Sequence, residues 1–355
     1  MTGTHQLTVE PLGETIDIEE GQSILDACLR HGIWLPYACG HGRCSTCKVD
    51  VLEGEIDHGD ASSFALMDFE RDEGKALACC ATVQSDVVIE AEVEEDEDAE
   101  NHPIGDYVGR VVRTEQLTPL IRGVWLELPG EGVRFQAGQY VNLTVPGVPG
   151  PRAFSLANPP SQPNLVELHV RRVEGGAATS WIHDELEEGM EVRFTGPLGR
   201  FYVRKSHEKP CLFVGGGSGL SSPKSMVLDL LETGFDEPVT LIQGARDLEH
   251  AYFKDLFEGL AEEHDNFRYV PALSDCDDAS WTGARGFAHE AMEALYGAKF
   301  SGNSAYLCGP PQMVEACIRS LMKGRLFEKD IFTEKFINNA DGDAALARSP
   351  LFKRI

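Results

Sequence analysis

Alternation of apolar and polar residues opens the chain: Gln6–Glu10 and Thr15–Ile18 place every second side chain on one face, and Lys48–Leu52 and Val87–Ala91 repeat the pattern. Between them, Ser23–His31 carries apolar residues at helical spacing and stops at Gly32. A small α+β unit is predicted. From Tyr107 to about Phe201 the pattern is almost entirely strands: YVGRVVRT, IRGVWLEL, QYVNLTV, AFSLA, LVELHVRRV and EVRFTG, broken by Gly and Pro turns. One helix, Ala177–Leu186, interrupts them and ends before Gly189. Six such strands predict a small antiparallel barrel. Beyond it, the apolar runs CLFVGG, VTLIQGA, FRYVPAL and AYLCG alternate with helices beginning near Leu220, Glu249 and Phe287 and after Pro311. That order implies βαβ units and a parallel sheet.

The periodicity therefore divides the chain into residues 1–95, a linker at 96–104, 105–206, 207–338 and a tail, 339–355, without a clear element. The linker lies in AEVEEDEDAENHP, where like charges repel and little apolar surface can be buried. A length of 355 residues supports two to three domains. Asp and Glu number 58 against 31 Lys and Arg, a formal net charge of −27. Such a charge repels phosphate backbones and anionic lipid, so neither nucleic acid nor a membrane is an expected partner. It serves solubility or steers the chain toward a partner with a basic docking patch. The N-terminal stretch lacks a positive n-region and an apolar h-region, and no run of ~18 apolar residues occurs, which points to the cytoplasm.

In a reducing compartment the ten cysteines do not read as a disulfide framework. Cys39, Cys44 and Cys47 lie in ACGHGRCSTC, a C-x4-C-x2-C arrangement, and further cysteines arrive in LACCATVQSDVVIEA. This is the spacing of a plant-type [2Fe–2S] site, in which two irons take four thiolates. Gly40 and Gly42 let backbone N–H groups approach the sulfurs. Structural zinc needs two C-x2-C knuckles, and only Cys44–Cys47 provides one. Cys79 and its neighbour Cys80 both suit the fourth position by spacing alone. The section resembles plant-type ferredoxins, whose last ligand occupies the L-x-C-x-A-x-x-x-S-D position matched by Leu77–Asp86, and this implies Cys79 and a β-grasp fold. Cys28, Cys211, Cys276 and Cys317 read as packing residues.

In the strand-rich section, PRAFSLANPP is followed about twenty residues later by HVRRVEGGAATSW. An Arg can pair with a pyrophosphate, an aromatic ring can pack along an isoalloxazine, and a hydroxyl can bond near flavin N5. Gly175 and Gly176 precede a helix start whose free N–H groups suit a phosphate. Residues 105–336 resemble the ferredoxin–NADP reductase superfamily through the R-x-[YF]-S element Arg152, Ala153, Phe154 and Ser155. The resemblance implies FAD rather than FMN, held by these four residues together with His169, Val170, Gly175, Gly176, Ala177 and Thr179. Phe154 replaces the more usual Tyr, keeping the stacking surface without the phenol.

VGGGSGLSSP, Val214–Pro223, follows a strand and opens a helix, as a loop touching pyrophosphate should, although it is not G-x-G-x-x-G. YLCGPPQM resembles the superfamily's C-G-P-x-x-M segment at the carboxyl end of a later parallel strand, where ligands bind. Together these imply a nicotinamide site of Gly215, Gly216, Gly217, Ser218, Gly219, Gly309 and Pro310, with Cys308 near the reacting carbon as a shaping residue. Arg246 and Asp247 stand where the superfamily reads the adenosine ribose. A carboxylate without an Arg/Lys cluster would accept from hydroxyls and repel a 2′-phosphate, so NADH is expected. Glu334 and Phe336, in EKF, resemble a terminal segment facing the flavin, and complete a reacting group of Ser155, Cys308, Glu334 and Phe336.

Taken in order, ferredoxin, flavin barrel and nucleotide domain, the whole chain resembles the reductase components of multicomponent bacterial phenol hydroxylases, through ACGHGRCSTCK, SSFALMDFERDE, FQAGQYVNL, RAFSLANPP, VEGGAAT and the ending LFKRI. That implies electron flow from NADH through FAD and the [2Fe–2S] cluster to a hydroxylase (oxygenase) component. Reductases of toluene or methane monooxygenases, or of a sugar dehydratase system, share these parts.

Overall fold

The computed structural model describes residues 3–37, 40, 42–93 and 96–336, and the chain divides into two compact units, Met1–Gly105 and Asp106–Ile355. The first unit runs β1 (Thr4–Glu10), β2 (Glu14–Glu19), α1 (Ile24–Arg30), β3 (Lys48–Glu53), β4 (Ile56–Asp57), α2 (Asp68–Asp72), β5 (Lys75–Leu77), β6 (Thr82–Val83) and β7 (Val87–Glu90). Its five-stranded sheet has the order β2-β1-β7-β3-β5, with β1 and β7 parallel and the other pairs antiparallel, the mixed β-grasp pattern expected. Ser23 caps α1 by accepting from the Asp26 N–H, and the helix buries Ile24, Leu25, Ala27, Cys28 and Leu29. The periodicity passed over α2 because five residues are too few to show a helical repeat. The segment 96–104 packs down at its end: Ile104 is buried and its N–H donates to the Leu29 carbonyl at 3.1 Å.

The second unit begins with six barrel strands, β8 (Gly105–Thr118), β9 (Ile121–Glu127), β10 (Tyr140–Thr144), β11 (Arg152–Ser155), β12 (Leu165–Arg171) and β13 (Glu191–Leu198), with α3 (Ala177–Asp184) before the last. Their order is β11-β10-β13-β8-β9-β12, and an antiparallel bridge from Leu156 to Leu168 joins the two edges. Inward residues such as Val111, Leu126, Val141, Leu168 and Phe194 fill the barrel.

The remainder is β14 (Cys211–Gly216), α4 (Ser221–Glu232), β15 (Val239–Ala245), α5 (Lys254–Glu263), β16 (Phe267–Leu273), β17 (Ala284–Arg285), α6 (Ala288–Tyr296), β18 (Ser304–Gly309), α7 (Pro311–Lys323) and β19 (Ile331–Lys335). The sheet is parallel throughout, in the order β17-β16-β15-β14-β18-β19. Alternate residues of β14 serve opposite faces, Phe213 toward α4 and α5, Leu212 and Val214 toward α6 and α7, so the strand is buried on both sides. The helix expected near Glu249 begins five residues later. Asp247 caps a 3-10 turn, Leu248–His250, and Phe253 takes a left-handed φ of +59° before α5 can start. Barrel residues Ile121, Ala137, Phe201 and Val203 share one apolar core with Leu220, Met226 and Tyr252, which explains why barrel and sheet form one unit. Cys28, Cys211 and Cys317 are buried, and burial raises each thiol to about 12, as inert packing residues should be. Cys276 differs: it lies half-buried in the loop after β16.

Candidate functional site

In the first unit the loop before β3 and the turn after β5 bring cysteines together. The Cys47 thiol donates to the Cys79 sulfur, the Gly42 N–H approaches that sulfur at 3.2 Å, and together they hold Cys79 down to about 6 while Cys47 is raised. Cys44 adds its own field to Cys47 and is exposed. Gly42 has φ +70°, and a Cβ there would stand 2.6 Å from the Cys80 sulfur, so the close approach needs glycine. Cys79, not Cys80, takes both donors. These residues suit a thiolate-held cluster; Cys39, the remaining expected ligand, lies outside the described residues.

The second unit presents its site where the barrel meets the carboxyl ends of the parallel strands. Pairing of β18 with β19 sets Cys308 directly beside Glu334. On the Glu334 carboxylate three donors converge on Oε2: Ser222 Oγ at 3.0 Å, Ser155 Oγ at 3.2 Å and Cys308 Sγ at 3.5 Å. Burial raises the Glu334 pKa and the three donors oppose it; burial also pushes the Cys308 thiol well up, so the sulfur stays protonated. Phe336 packs against the same core and its N–H donates to the Gly309 carbonyl at 2.9 Å. The four residues expected to surround the reacting atoms thus come from three separated segments and meet here. Ser222, the second residue of α4, carries no signal in the sequence, because a hydroxyl in the first turn of a helix is common.

The expected dinucleotide loop follows β14. Gly217 has φ +57° and open space where a Cβ would be, whereas a Cβ on Gly219 would stand 2.6 Å from the Cys308 carbonyl oxygen and from the Gly309 nitrogen. Gly216 and Ser218 complete the turn, and Pro310 precedes α7. On the barrel side, Arg152 is exposed and lays its guanidinium on the carbonyls of Pro149, Gly150 and Pro151. Ala153 is exposed, Phe154 leans on the barrel core, and Ser155 is buried. Gly175, φ +70°, leaves open space before α3, and Thr179 Oγ1 accepts from the Val173 N–H and donates to the Gly176 carbonyl, holding the turn that leads into Ala177. An exposed Arg, an open glycine cradle and hydroxyls at the inter-module junction fit a flavin dinucleotide, and the open Gly217 turn fits a nicotinamide dinucleotide. Asp247 gives Oδ1 to the His250 N–H and ring, which lowers its pKa, next to Arg246.

His169 and Val170 lie on β12, but the His169 side chain is turned inward. Its Nε2 meets Glu167 Oε1 at 2.8 Å and its Nδ1 meets the Tyr252 hydroxyl at 3.2 Å. Glu167 also pairs with Lys224 at 2.8 Å, and all four residues are buried. The sequence held one clue: on α4, Lys224 lies in line with the buried Val227 and Leu231.

Three family models match in series: a 2Fe-2S iron-sulfur cluster binding domain over residues 7–84, an oxidoreductase FAD-binding domain over 109–202 and an oxidoreductase NAD-binding domain over 213–319. Fold, site and matched domains define an iron–sulfur flavoprotein oxidoreductase. Phenol 2-monooxygenase, reductase component DmpP, of Pseudomonas sp. (strain CF600) is 56% identical over 353 residues, 99% of this chain and 100% of that protein. The phenol hydroxylase P5 protein of Acinetobacter pittii (strain PHEA-2) is 53% identical over the same shares. Among solved structures, Amycolatopsis cytochrome P450 reductase GcoB has a TM-score of 0.82 at 37% identity, covering 94% of this chain and 99% of that one. The ferredoxin reductase of carbazole 1,9a-dioxygenase has a TM-score of 0.75 at 27% identity, covering 95% and 99%. The chain belongs to the family of phenol hydroxylase reductase components. It is an NADH-dependent oxidoreductase that uses FAD and a [2Fe–2S] cluster to pass electrons to an oxygenase component. Among the described residues no helix is long and apolar enough to cross a membrane.

Proposed function

We propose that the oxygenase served is a phenol hydroxylase, acting in the cytoplasm, and that NADH delivers its hydride where Ser155, Cys308, Glu334 and Phe336 meet. The observation that carries the site assignment is the convergence of Ser155 from the barrel and Ser222, Cys308 and Glu334 from the parallel sheet on one carboxylate oxygen. The full-length likeness to two phenol hydroxylase proteins favours that oxygenase over those acting on toluene or methane, and over a sugar dehydratase system.

Arg152 and the open turn at Gly175 would hold the FAD pyrophosphate, with Ala153, Phe154, Gly176, Ala177 and Thr179 shaping the rest of the cradle and His169 and Val170, their side chains buried, contributing only through the backbone of β12. Gly215–Gly219, Gly309 and Pro310 would hold the nicotinamide dinucleotide, and Arg246 and Asp247 would read its ribose. When bound, the flavin supplies the exchange between a hydride pair and single electrons, and a cluster on Cys39, Cys44, Cys47 and Cys79 supplies a one-electron outlet. The chain's own contribution is placement and one proton route. Ser155 Oγ, which donates to Glu334 Oε2, would link that buried carboxylate to a bound flavin as a hydroxyl able to donate or accept a proton. Cys308, buried as a thiol, donates to Glu334 and shapes the pocket rather than attacking.

Anaerobic titration of the purified protein with NADH, followed in the visible spectrum, tests the relay. Bleaching of both flavin and ferredoxin-type bands is expected. A colourless protein carrying zinc would overturn the cluster assignment and the relay with it.

A further inference from the structure

Barrel and parallel sheet are also joined by a second buried polar network. Lys224 Nζ, on the first turn of α4, donates to the Ala157 carbonyl at 3.0 Å and to Glu167 Oε2 at 2.8 Å. The same ammonium lies 5.0 Å from the centre of the Phe253 ring. Glu167 holds His169, which meets Tyr252, and the Tyr252 hydroxyl also donates to the Gly217 carbonyl at 3.0 Å. Ser225, beside Lys224, donates to the Asn158 carbonyl at 2.6 Å. One end of the network is therefore two residues past Ser155 on the barrel. The other end is the apex of the dinucleotide loop.

Two features separate this arrangement from ordinary packing. A Lys–Glu pair with side chains 6% and 7% exposed loses most of its hydration, so apolar residues of similar volume would serve stability as well or better. The network also spans the two modules, fastening to the Ala157 carbonyl on the barrel and to the Gly217 carbonyl on the dinucleotide loop, the residue of Gly215–Gly219 with a positive φ. Hydrogen bonds are directional where apolar contacts are not, so such a tie fixes spacing and orientation.

We propose that Lys224, Glu167, His169 and Tyr252 form a positioning network that holds Arg152–Ala157 and Gly215–Gly219 at the spacing hydride transfer requires. The step it serves moves two electrons and one proton together from NADH to the flavin, leaving NAD⁺. None of the four residues is a catalytic group. The inference rests on the reading that these two segments flank the flavin and the nicotinamide.

The test uses the full-length, FAD-loaded protein and the variant Lys224→Met/Glu167→Gln, which removes both charges so that neither is orphaned. Three quantities are read: melting temperature, NAD⁺ affinity by calorimetry, and the rate of flavin bleaching by NADH without oxygen. A melting temperature near wild type is expected, with bleaching slowed roughly tenfold to a hundredfold, since displacement by about 1 Å costs that much. Weaker NAD⁺ binding should accompany it. Unchanged bleaching and NAD⁺ affinity would overturn the proposal, whatever the melting temperature. If the double variant melts lower or loses FAD, Tyr252→Phe decides, because it removes one hydroxyl and keeps the ring. Its NAD⁺ affinity should fall about threefold or more at unchanged melting temperature, and an unchanged affinity would overturn the network. A wild-type protein that NADH does not bleach would instead bring down the underlying site reading, and the network with it.

Discussion

Glu167 shows how a buried residue makes a local charge into a pH dependence. Burial by itself would raise its pKa; the His169 and Lys224 contacts overcome this and bring it down to about 2, against an ordinary 4.5. A depressed carboxylate stabilises the folded state above its unfolded pKa and loses that contribution as pH falls through the folded value. The window is therefore about 4.5 to about 2. Glu167→Gln leaves Lys224 buried without its counter-charge, so at pH 7 the variant should be less stable by about 3 kcal/mol. The gap between variant and wild type should close on acidification below pH 4.5, because the unfolded wild-type chain then binds a proton at Glu167 that the folded chain does not, whereas the amide of the variant titrates in neither state. Melting curves from pH 7 to pH 3 check this, and a gap that stays constant would place the loss in packing. Asp247 makes a second residue-scale prediction. His250 keeps it ionised, and an anion at that turn repels a 2′-phosphate, so Asp247→Ser should lower the NADH-to-NADPH ratio of kcat/KM by roughly tenfold. An unchanged ratio would remove Asp247 from the ribose site.

At the scale of elements, the approach of two loops decides whether the site exists. Gly219 and Gly309 end or follow neighbouring parallel strands, and their backbones pass so close that a Cβ on Gly219 would press into the Cys308 carbonyl oxygen and the Gly309 nitrogen. Neither obstacle is a flexible side-chain tip. Gly219→Ala should therefore separate the loops, costing about 1–3 kcal/mol of stability and most NADH-dependent flavin reduction, while FAD content stays near one per chain. Gly217→Ala meets only open space and a φ of +57°, so its stability loss should be about 1 kcal/mol. Comparing the two by melting temperature and NADH bleaching rate separates crowding from backbone strain; equal losses would contradict the geometry. The same scale explains what the sequence could and could not reveal. The cluster cysteines, RAFS and the glycine loops are legible because thiolate spacing, phosphate approach and βαβ alternation each demand particular residues within one short segment. Ser222 and the Glu167–Lys224 pair were hidden because their meaning lies in partners on other segments, 112 and 57 residues distant. α5 was misplaced because Asp247 and Phe253 impose a cap and a left-handed turn that periodicity does not encode.

For the whole molecule, the uneven spread of charge bears on how the two ends of the electron path are used. Residues 1–105 hold 24 of the 58 acidic residues but 5 of the 31 basic ones, a net −19 of the total −27. The unit that carries the cluster cysteines is thus the strongly acidic one, and the longer unit that takes NADH holds the remaining −8, with 34 acidic and 26 basic residues. Removing the outlet without disturbing the inlet should be possible: Cys44→Ser should abolish oxygenase-coupled turnover while NADH reduction of a small uncharged dye continues at the flavin. Simultaneous loss of both would mean the two sites are not separable. Salt should act on the two ends with opposite sign. If the acidic unit is steered onto a basic patch of the oxygenase component, raising ionic strength from about 0.01 M to about 0.15 M shortens the Debye length from about 30 Å to about 8 Å. Coupled turnover at limiting oxygenase should then fall severalfold. NADH is itself an anion approaching an anionic protein, so its KM in the dye reaction should stay level or decrease under the same change. Stopped-flow and steady-state rates over that salt range provide both slopes. A coupled rate indifferent to salt would assign the acidic surface to solubility alone, since a docking face built on charge cannot be insensitive to its screening.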